Sequence, residues 1–346
     1  MDNNEFCGAE KLRFFAIELV KKIFFQKIVA PFHRERYYIS TLCQTKDKRT
    51  NRQLSNTSRK EPVMKERNMK DISIKDLKNT ATEMRMKVID MIYKAQSGHP
   101  GGSLSAAEFV TACYFKYMNV DPKNPKWEDR DRMVLSKGHV CPIQYACLGT
   151  LGYFPEEVLD TLRKEGSPLQ GHPSMIKCPG IDISTGSLGQ GMACAAGMAL
   201  GGKMAKKDFK VFCVLGDGEA QEGIIWEAAN TANKYKLDNF IVFVDVNNLQ
   251  LDGTCDEVMP NGDLGEKFKA FGWDVFYING NDMEEVCDAI DKCYAAQNGN
   301  PKAIIGTTVK GKGVSFMENQ VGWHGVAPND EQYAQAMAEL KAQLID

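Results

Sequence analysis

The segment Val211-Phe-Cys-Val-Leu-Gly-Asp217-Gly-Glu-Ala-Gln-Glu-Gly223 runs from five apolar residues into a glycine turn that carries one carboxylate. A short, uninterrupted apolar run is typical of a strand buried on both faces, as in a parallel sheet. Glycine permits a sharp turn and a close approach to a ligand. The helix predicted over residues 220–236 would present free N–H groups to an anion. We therefore expect Asp217, at the strand tip, to hold a divalent cation beside that anion.

A second strand tip follows about thirty residues later, in Phe240-Ile-Val-Phe-Val-Asp245-Val-Asn247-Asn-Leu249. The interval accommodates one helix, so the two strands should form a βαβ unit and lie side by side in parallel. Asp217 and Asn247 would then project from adjacent strand ends. A carboxylate, an amide oxygen and a loop carbonyl suit a hard cation such as Mg²⁺, with diphosphate oxygens and water completing its shell.

The rest of the chain predicts an α/β fold, with a parallel sheet covered by helices on both faces. Ligands bind such sheets beyond the carboxyl ends of the strands. The predicted helices cover 72–96, 103–118, 187–205, 220–236, 283–297 and 330–344, and the predicted strands cover 210–215, 240–246, 274–278 and 303–309.

Composition excludes several classes of protein. Apolar residues make up 43% and charged residues 25% of the 346, and the net charge of −2 offers no basic excess for nucleic acid. No uncharged apolar stretch reaches the length of a membrane span, so no integral membrane protein is expected. Eleven cysteines without a Cys-x-x-Cys pair indicate reduced thiols and a cytoplasmic location.

Residues 1–68 differ from residues 69–346 in charge and in glycine content. The first segment holds fifteen Lys or Arg against eight Asp or Glu, and only one of the thirty glycines. One interpretation is a leader that is disordered or that results from translation assigned too far upstream, with the natural start at Met69. A basic amphipathic helix on a membrane surface and a transit peptide are the alternatives. The predicted domain is then 69–346.

Four of the five histidines lie against glycine: Ser97-Gly-His99-Pro, Lys137-Gly-His139, Gln170-Gly-His172-Pro and Trp323-His324-Gly. A single histidine is as often structural as functional, but glycine loops can bring imidazoles together at one site. There they could bond hydroxyl groups or move protons. Zinc binding is disfavoured because no close His-x-His or Cys-x-x-His spacing occurs.

The GDG…N pattern from Gly216 to Asn247 resembles the cofactor motif of thiamine diphosphate enzymes. The order SGHPG, LSKGH, GHP, TGSLGQG, GDG…N and WHG-x-AP, from residue 97 to 328, narrows the resemblance to transketolase. Deoxyxylulose-phosphate synthase shares the GDG…N motif, but TGSLGQG and the late WHG favour transketolase. The resemblance implies the thiamine diphosphate-binding fold and a role in carbohydrate metabolism of the pentose phosphate type.

The resemblance also implies roles for individual residues. Asp217, Asn247 and the carbonyl of Leu249 would bind Mg²⁺, or Ca²⁺ or Mn²⁺ in its place. His139, the N–H of Gly218 and Asn247 would hold thiamine diphosphate. Gly186, Ser187 and Leu188 would lie against its aminopyrimidine ring, although Ser187 replaces the proline common in the family. The residues expected to contact the sugar or the reacting carbons are His99, His172 and His324.

A transketolase polypeptide usually has three domains, and the resemblance covers the first. We therefore expect the N-terminal subunit of a split transketolase, transferring a two-carbon ketol unit between sugar phosphates. Its partner would be a separate chain with the pyrimidine-binding and C-terminal domains, and two copies of each chain would assemble. The alternative is a non-catalytic thiamine diphosphate-binding or regulatory module. Glu222 either lies in a subunit interface or is a solvated residue of a helix's first turn.

Overall fold

The computed structural model describes residues 70–346, and the predicted leader lies outside them. The described chain contains one five-stranded sheet in which every pairing is parallel. The strands lie in the order β1-β2-β3-β5-β4. Their bounds are β1 Arg132–Leu135, β2 Val211–Gly216, β3 Phe240–Val246, β4 Asp274–Asn279 and β5 Lys302–Thr307.

The helices of the described residues connect these strands and cover the sheet. They are α1 Ile74–Ala95, α2 Pro100–Ser105, α3 Ala107–Ala112, α4 Cys141–Leu151, α5 Gln190–Met204, α6 Gly223–Lys234, α7 Cys255–Val258, α8 Leu264–Ala270, α9 Met283–Ala295 and α10 Asp330–Lys341. Within residues 70–346, none of them combines the length and the apolar character that crossing a membrane requires.

Two hydrophobic cores lie on opposite faces of the sheet, because successive strand residues point to opposite sides. On one face, Phe243 of β3 stacks on Phe109 of α3, with ring centroids 4.5 Å apart. On the other face, Phe240 of β3 packs edge-on against Trp273, at 5.5 Å. This arrangement confirms the predicted parallel sheet with helices on both faces.

The sequence pattern did not predict β1, α4, α7 or α8, and several predicted helix limits differ from those of the structure. Strand β1 has only four residues and starts with a charged one, while α4 is buried on nearly every side and so shows no amphipathic period. The helix predicted over 187–205 begins in the structure at Gln190 of α5, three residues later than predicted. Gly186 and Gly189 precede it with φ values of 153° and 82°, which a helix does not allow. The predicted helix 103–118 is divided at Ala106 into α2 and α3.

A buried ion pair joins the first helix to the segment that carries the first histidine loop. Arg85 of α1 donates to both carboxylate oxygens of Glu108 in α3, at 2.6 and 2.7 Å, and also to the carbonyl of Leu104. Asn281 donates to the same carboxylate at 3.0 Å. Both charged side chains are less than one tenth exposed. The pair therefore fixes α2 and α3 against α1.

We expect Glu108→Gln to lower the free energy of unfolding by about 3–5 kcal/mol, because it leaves the Arg85 guanidinium buried without a counter-charge. Urea unfolding of purified protein measures the change. The matched control is Lys94→Met, which removes exposed pairs with Asp90 and Asp160 and should cost no more than about 1 kcal/mol. Equal effects of the two substitutions would contradict the structural role assigned to the Arg85–Glu108 pair.

Candidate active site

A cavity of about 480 Å³ opens at the carboxyl ends of β1, β2, β3 and β5. It is the place where ligands bind in open parallel sheets. All the predicted site residues except Ser187 line it: His99, His139, His172, Gly186, Leu188, Asp217, Gly218, Asn247, Leu249 and His324. Motifs from distant parts of the chain thus meet in one place.

The tips of β2 and β3 meet as the sequence predicted. Asp217 is 4% exposed, and its carboxylate accepts hydrogen bonds from the N–H groups of Gly218, at 2.8 Å, and Asn248, at 2.5 Å. Asn248 has a φ of 58°, which turns the chain back so that the Leu249 N–H reaches the side-chain oxygen of Asn247 at 3.1 Å. The three predicted metal ligands therefore lie at two neighbouring strand tips, which the hydrogen bond from Asn248 to Asp217 joins.

The chemistry of these three ligands fits a divalent cation. Within residues 70–346, no lysine or arginine forms an ion pair with Asp217. Burial and the negative charge of Asp245 raise its pKa. A bound cation would supply the missing positive charge, and the carboxylate, amide and carbonyl oxygens are hard ligands. The described residues contain no group of three or more His, Cys, Asp or Glu arranged to hold a metal.

Two buried lysines in the cavity were not singled out by the sequence analysis. Lys137 follows β1, is 3% exposed and pairs with Asp245. Lys310 follows β5, is 2% exposed and donates to the carbonyl of Leu249 at 2.9 Å. Burial, with the charge of Lys137, lowers the pKa of Lys310 to about 8. Two ammonium groups at the strand ends suit a diphosphate. The Lys-Gly dipeptides at both positions were the available sequence signal.

Asp245, which precedes Asn247 by two residues, joins four parts of the cavity wall. It is fully buried, and it accepts hydrogen bonds from Lys137, from Ser105 at the end of α2, and from Thr308 after β5. Asn247 lies 3.4 Å from one of its carboxylate oxygens. Burial alone would raise the pKa of Asp245, but the charge of Lys137 and these hydrogen bonds outweigh burial and lower it.

Three of the histidines form a cluster, with ring centroids 5.2 Å apart for His99–His139, 5.6 Å for His99–His324 and 5.3 Å for His139–His324. Burial lowers the pKa of each, to about 4 for His99 and His324. Neighbouring cations add to the effect: Arg163 beside His99, Lys137 beside His139 and Lys310 beside His324. The clustered imidazoles are therefore neutral at neutral pH.

The loop before α5 is held against the strand ends by a buried carboxylate. Glu219 accepts hydrogen bonds from the N–H of Gly189 at 2.7 Å and from the hydroxyl of Ser136 at 2.6 Å. A Cβ atom at Gly191 would lie 2.6 Å from the Cα atom of Ser136, so only glycine allows this approach. A Cβ atom at Gly186 would lie 3.1 Å from a ring carbon of His172, so this glycine also allows a close approach. This loop therefore packs closely against the strand ends and also forms part of the cavity wall.

The acidic residues after Asp217 separate into two environments. Glu219 is 3% exposed, whereas Glu222 is exposed and precedes α6 as its N-cap. Sequence analysis singled out Glu222 and overlooked Glu219, because both follow the same glycine turn and only the fold distinguishes them. In the described chain Glu222 lies at the rim of the cavity, an exposed position that is compatible with both alternatives, a subunit interface and a solvated helix start.

Comparison with known families and curated proteins agrees with this geometry. Residues 77–343 match the family described as "Transketolase, thiamine diphosphate binding domain". The chain is 44% identical over 266 residues to the 6-deoxy-6-sulfo-D-fructose transketolase subunit SqwG of Clostridium sp. (strain MSTE9), covering 77% of this chain and 96% of that protein. It is 42% identical over 273 residues to one of the subunits of apulose-4-phosphate transketolase from Phocaeicola vulgatus, covering 79% and 96%.

Longer relatives match over a smaller part of their length. The transketolase of Mus musculus is 40% identical over 275 residues, which cover 78% of this chain but 42% of that protein. Among solved structures, transketolase from Campylobacter jejuni superimposes with a TM-score of 0.74 and 35% identity, over 78% of this chain and 43% of that one. The chain thus spans less than half of these longer proteins and nearly all of the two named subunits.

The lowered imidazole pKa values predict a loss of stability in acid. The unfolded chain binds protons near the ordinary histidine pKa of 6.5, whereas folded His99 and His324 bind them near 4. Their contribution to the free energy of unfolding is therefore complete above pH 6.5 and declines as the pH falls toward 4. Urea unfolding of the double variant His99→Gln/His324→Gln should show a weaker decline over this range than wild type.

The range from pH 7 to 7.5 is the internal control, because neither imidazole titrates there and Lys310, the neighbour of His324 with a pKa of about 8, stays mostly protonated. The two stability curves should run parallel in this range. Equal declines of wild type and double variant between pH 6.5 and 4 would contradict the assigned burial of neutral imidazoles.

Proposed function

The chain belongs to the transketolase family, through its thiamine diphosphate-binding domain, and on this basis we propose that it is the diphosphate-binding subunit of a two-chain transketolase. The reaction transfers a two-carbon ketol unit from a ketose phosphate to an aldose phosphate. The two-chain arrangement is supported by how much of each relative this chain matches. Proteins named as subunits match over 96–98% of their own length, whereas the proteins named simply as transketolase match over about 42% of theirs.

The strand-end cavity supports thiamine diphosphate as the ligand. Lys137, Lys310 and His139 would contact the diphosphate, together with the N–H of Gly218. Asp217, Asn247 and the Leu249 carbonyl would bind Mg²⁺, or Ca²⁺ or Mn²⁺, beside it. The loop residues that would contact the aminopyrimidine ring are Gly186, Ser187 and Leu188. When bound, the cofactor supplies the thiazolium carbon that carries the ketol unit.

The chain's own residues would position the sugar and exclude water. His99, His172 and His324 present imidazoles to the open part of the cavity. Because the clustered rings are neutral at neutral pH, their N–H groups can donate to sugar hydroxyl and carbonyl oxygens without adding charge. His172 follows the same rule, since burial and the charge of Arg163 lower its pKa. Neutral donors of this kind orient a substrate whose reactive oxygen gains negative charge.

An apolar rim around the cavity supports a partner subunit that covers it. Leu188 and Leu251 line the cavity and are 36% and 63% exposed. Met259 is 57% exposed, and its carbonyl accepts a hydrogen bond from Gln221, another residue that lines the cavity. Exposed apolar surface with a polar border is typical of interaction sites. We assign the cover to a separate chain with the pyrimidine-binding and C-terminal domains, in an assembly with two copies of each subunit in the cytoplasm.

Reconstitution tests the proposed reaction. We expect this chain with its partner subunit, Mg²⁺ and thiamine diphosphate to transfer glycolaldehyde units between sugar phosphates, and either chain alone to give no turnover above the enzyme-free rate. The reason is that the uncovered cavity leaves the cofactor's reactive end open to water. A coupled steady-state assay with a ketose phosphate donor measures the rate. Full activity of the purified single chain would contradict the two-chain arrangement.

Asp217→Asn tests the metal assignment separately from turnover. The amide keeps one of the two oxygens that accept from Gly218 and Asn248, and it removes the full negative charge. Mg²⁺-dependent affinity for thiamine diphosphate should therefore fall at least about a hundredfold. Calorimetric titration, with the partner present if the isolated chain binds weakly, measures it. The matched control is Asp256→Asn, an exposed carboxylate that contacts Asn248, which should bind as wild type does. Unchanged affinity in Asp217→Asn would overturn the assignment.

A further inference from the structure

Arg163 lies behind the histidine cluster in a position that no part of the proposed reaction uses. Its backbone adopts a φ of 62°, a left-handed conformation that arginine rarely takes and that costs free energy. The N–H of Arg163 donates to the carbonyl of Leu169 at 2.8 Å, which closes the loop around it. Such backbone strain persists where the surrounding structure imposes it, and at Arg163 the strained loop fixes the position from which the side chain extends.

The guanidinium has hydrogen-bond partners but no counter-charge. It donates to the hydroxyl of Ser97 at 3.1 Å, lies 3.2 Å from Nδ1 of His99, and lies 3.5 Å from the carbonyl of Gly171. Within residues 70–346 no carboxylate forms an ion pair with it. A Cβ atom at Gly171 would lie 2.9 Å from Arg163 Cζ, so the glycine before His172 makes room for the guanidinium.

We propose that Arg163 is a positioning residue that locks His99 in one tautomer, with Nδ1 as acceptor and the proton on Nε2, so that His99 can only donate a hydrogen bond to a ligand. An arginine side chain has five N–H donors and no acceptor, and it stays charged in proteins. The nitrogen that faces it must therefore carry a lone pair. A neutral imidazole that accepts through Nδ1 carries its hydrogen on Nε2.

The other side of the ring faces the cavity. His99 lines the cavity, and its Nε2 lies close to the backbone of Gly325, where an added Cβ atom would approach it to 3.4 Å. Its ring is edge-on to that of His324. Within the described chain no protein group accepts a hydrogen bond from Nε2, so this donor is available to a sugar oxygen. The charge of Arg163 also keeps the ring neutral, because burial and that charge lower the pKa of His99.

The consequence for the proposed function, on which this last step rests, is a division of roles. His99 would orient or polarise a hydroxyl or carbonyl oxygen of the sugar, and it would not remove a proton from it, because at neutral pH its only exposed nitrogen already holds one. Arg163 acts through His99 and is not itself placed against the reacting atoms.

Nitrogen-15 NMR of the full chain, labelled at histidine, tests the lock without any requirement for turnover. The variant His99→Gln assigns the His99 signals by their disappearance. In wild type we expect a pyridine-type Nδ1 and a pyrrole-type Nε2 for His99. A pyrrole-type Nδ1 would overturn the proposal.

Arg163→Met should change these signals toward a mixture of tautomers and raise the pKa of His99 toward its ordinary value, while Arg163→Lys, which keeps a charged donor, should restore part of the wild-type pattern. Lys164→Met is the matched control, since Lys164 lines the same surface cavity as Arg163, but the hydrogen bond to His99 comes from Arg163. Wild-type His99 signals in a folded Arg163→Met protein would overturn the proposal.

In the assembled enzyme, Arg163→Met should lower kcat/KM about tenfold and move the acidic limb of the pH profile upward, whereas Lys164→Met should do neither. An unshifted pH profile would contradict the role of Arg163. Absence of ketol transfer in the wild-type assembly would contradict the proposed function instead, and the NMR result would stand independently of it.

Discussion

The buried ion pair between Lys137 and Asp245 is the contact on which the cavity depends. Both side chains are almost completely buried, and such a pair is strongly destabilising when only one partner remains. Asp245 also accepts from Ser105 and Thr308. One carboxylate therefore fixes the ends of α2, β1 and β5 relative to β3, and two of the predicted metal ligands, Asn247 and Leu249, follow directly after it.

This constraint also sets the electrostatics of the site. Lys137 is held by Asp245, whereas within residues 70–346 the ammonium group of Lys310 forms hydrogen bonds only with two carbonyl oxygens and with His324. Asp217 has no cationic partner in the described chain. A diphosphate with a divalent cation would satisfy both groups at once. Burial, assisted by the charges of these two lysines and of Arg163, lowers the pKa of each clustered histidine. The neutral rings can then serve as hydrogen-bonding groups.

The sequence predicted what depends on local pattern. Apolar runs that end in GDG and in DVN indicated adjacent parallel strands, and glycine beside four histidines indicated that these would converge. It did not reveal Asp245, Glu219 or Arg163 as functional, because their importance arises from partners far away along the chain or from a strained loop. Strand β1 was missed because four residues carry too little pattern to identify a strand.

The central claim is that the carboxyl ends of β2 and β3 bind a metal-diphosphate through Asp217, Asn247 and Leu249. The most direct test is a crystal structure of the chain, with its partner subunit if needed, grown with thiamine diphosphate and Mn²⁺ and measured at an anomalous wavelength for manganese. The account predicts one anomalous peak within about 2.0–2.4 Å of the Asp217 carboxylate, the Asn247 side-chain oxygen and the Leu249 carbonyl, with the diphosphate beside Lys137 and Lys310. An ordered cofactor whose metal lies on other residues would contradict it.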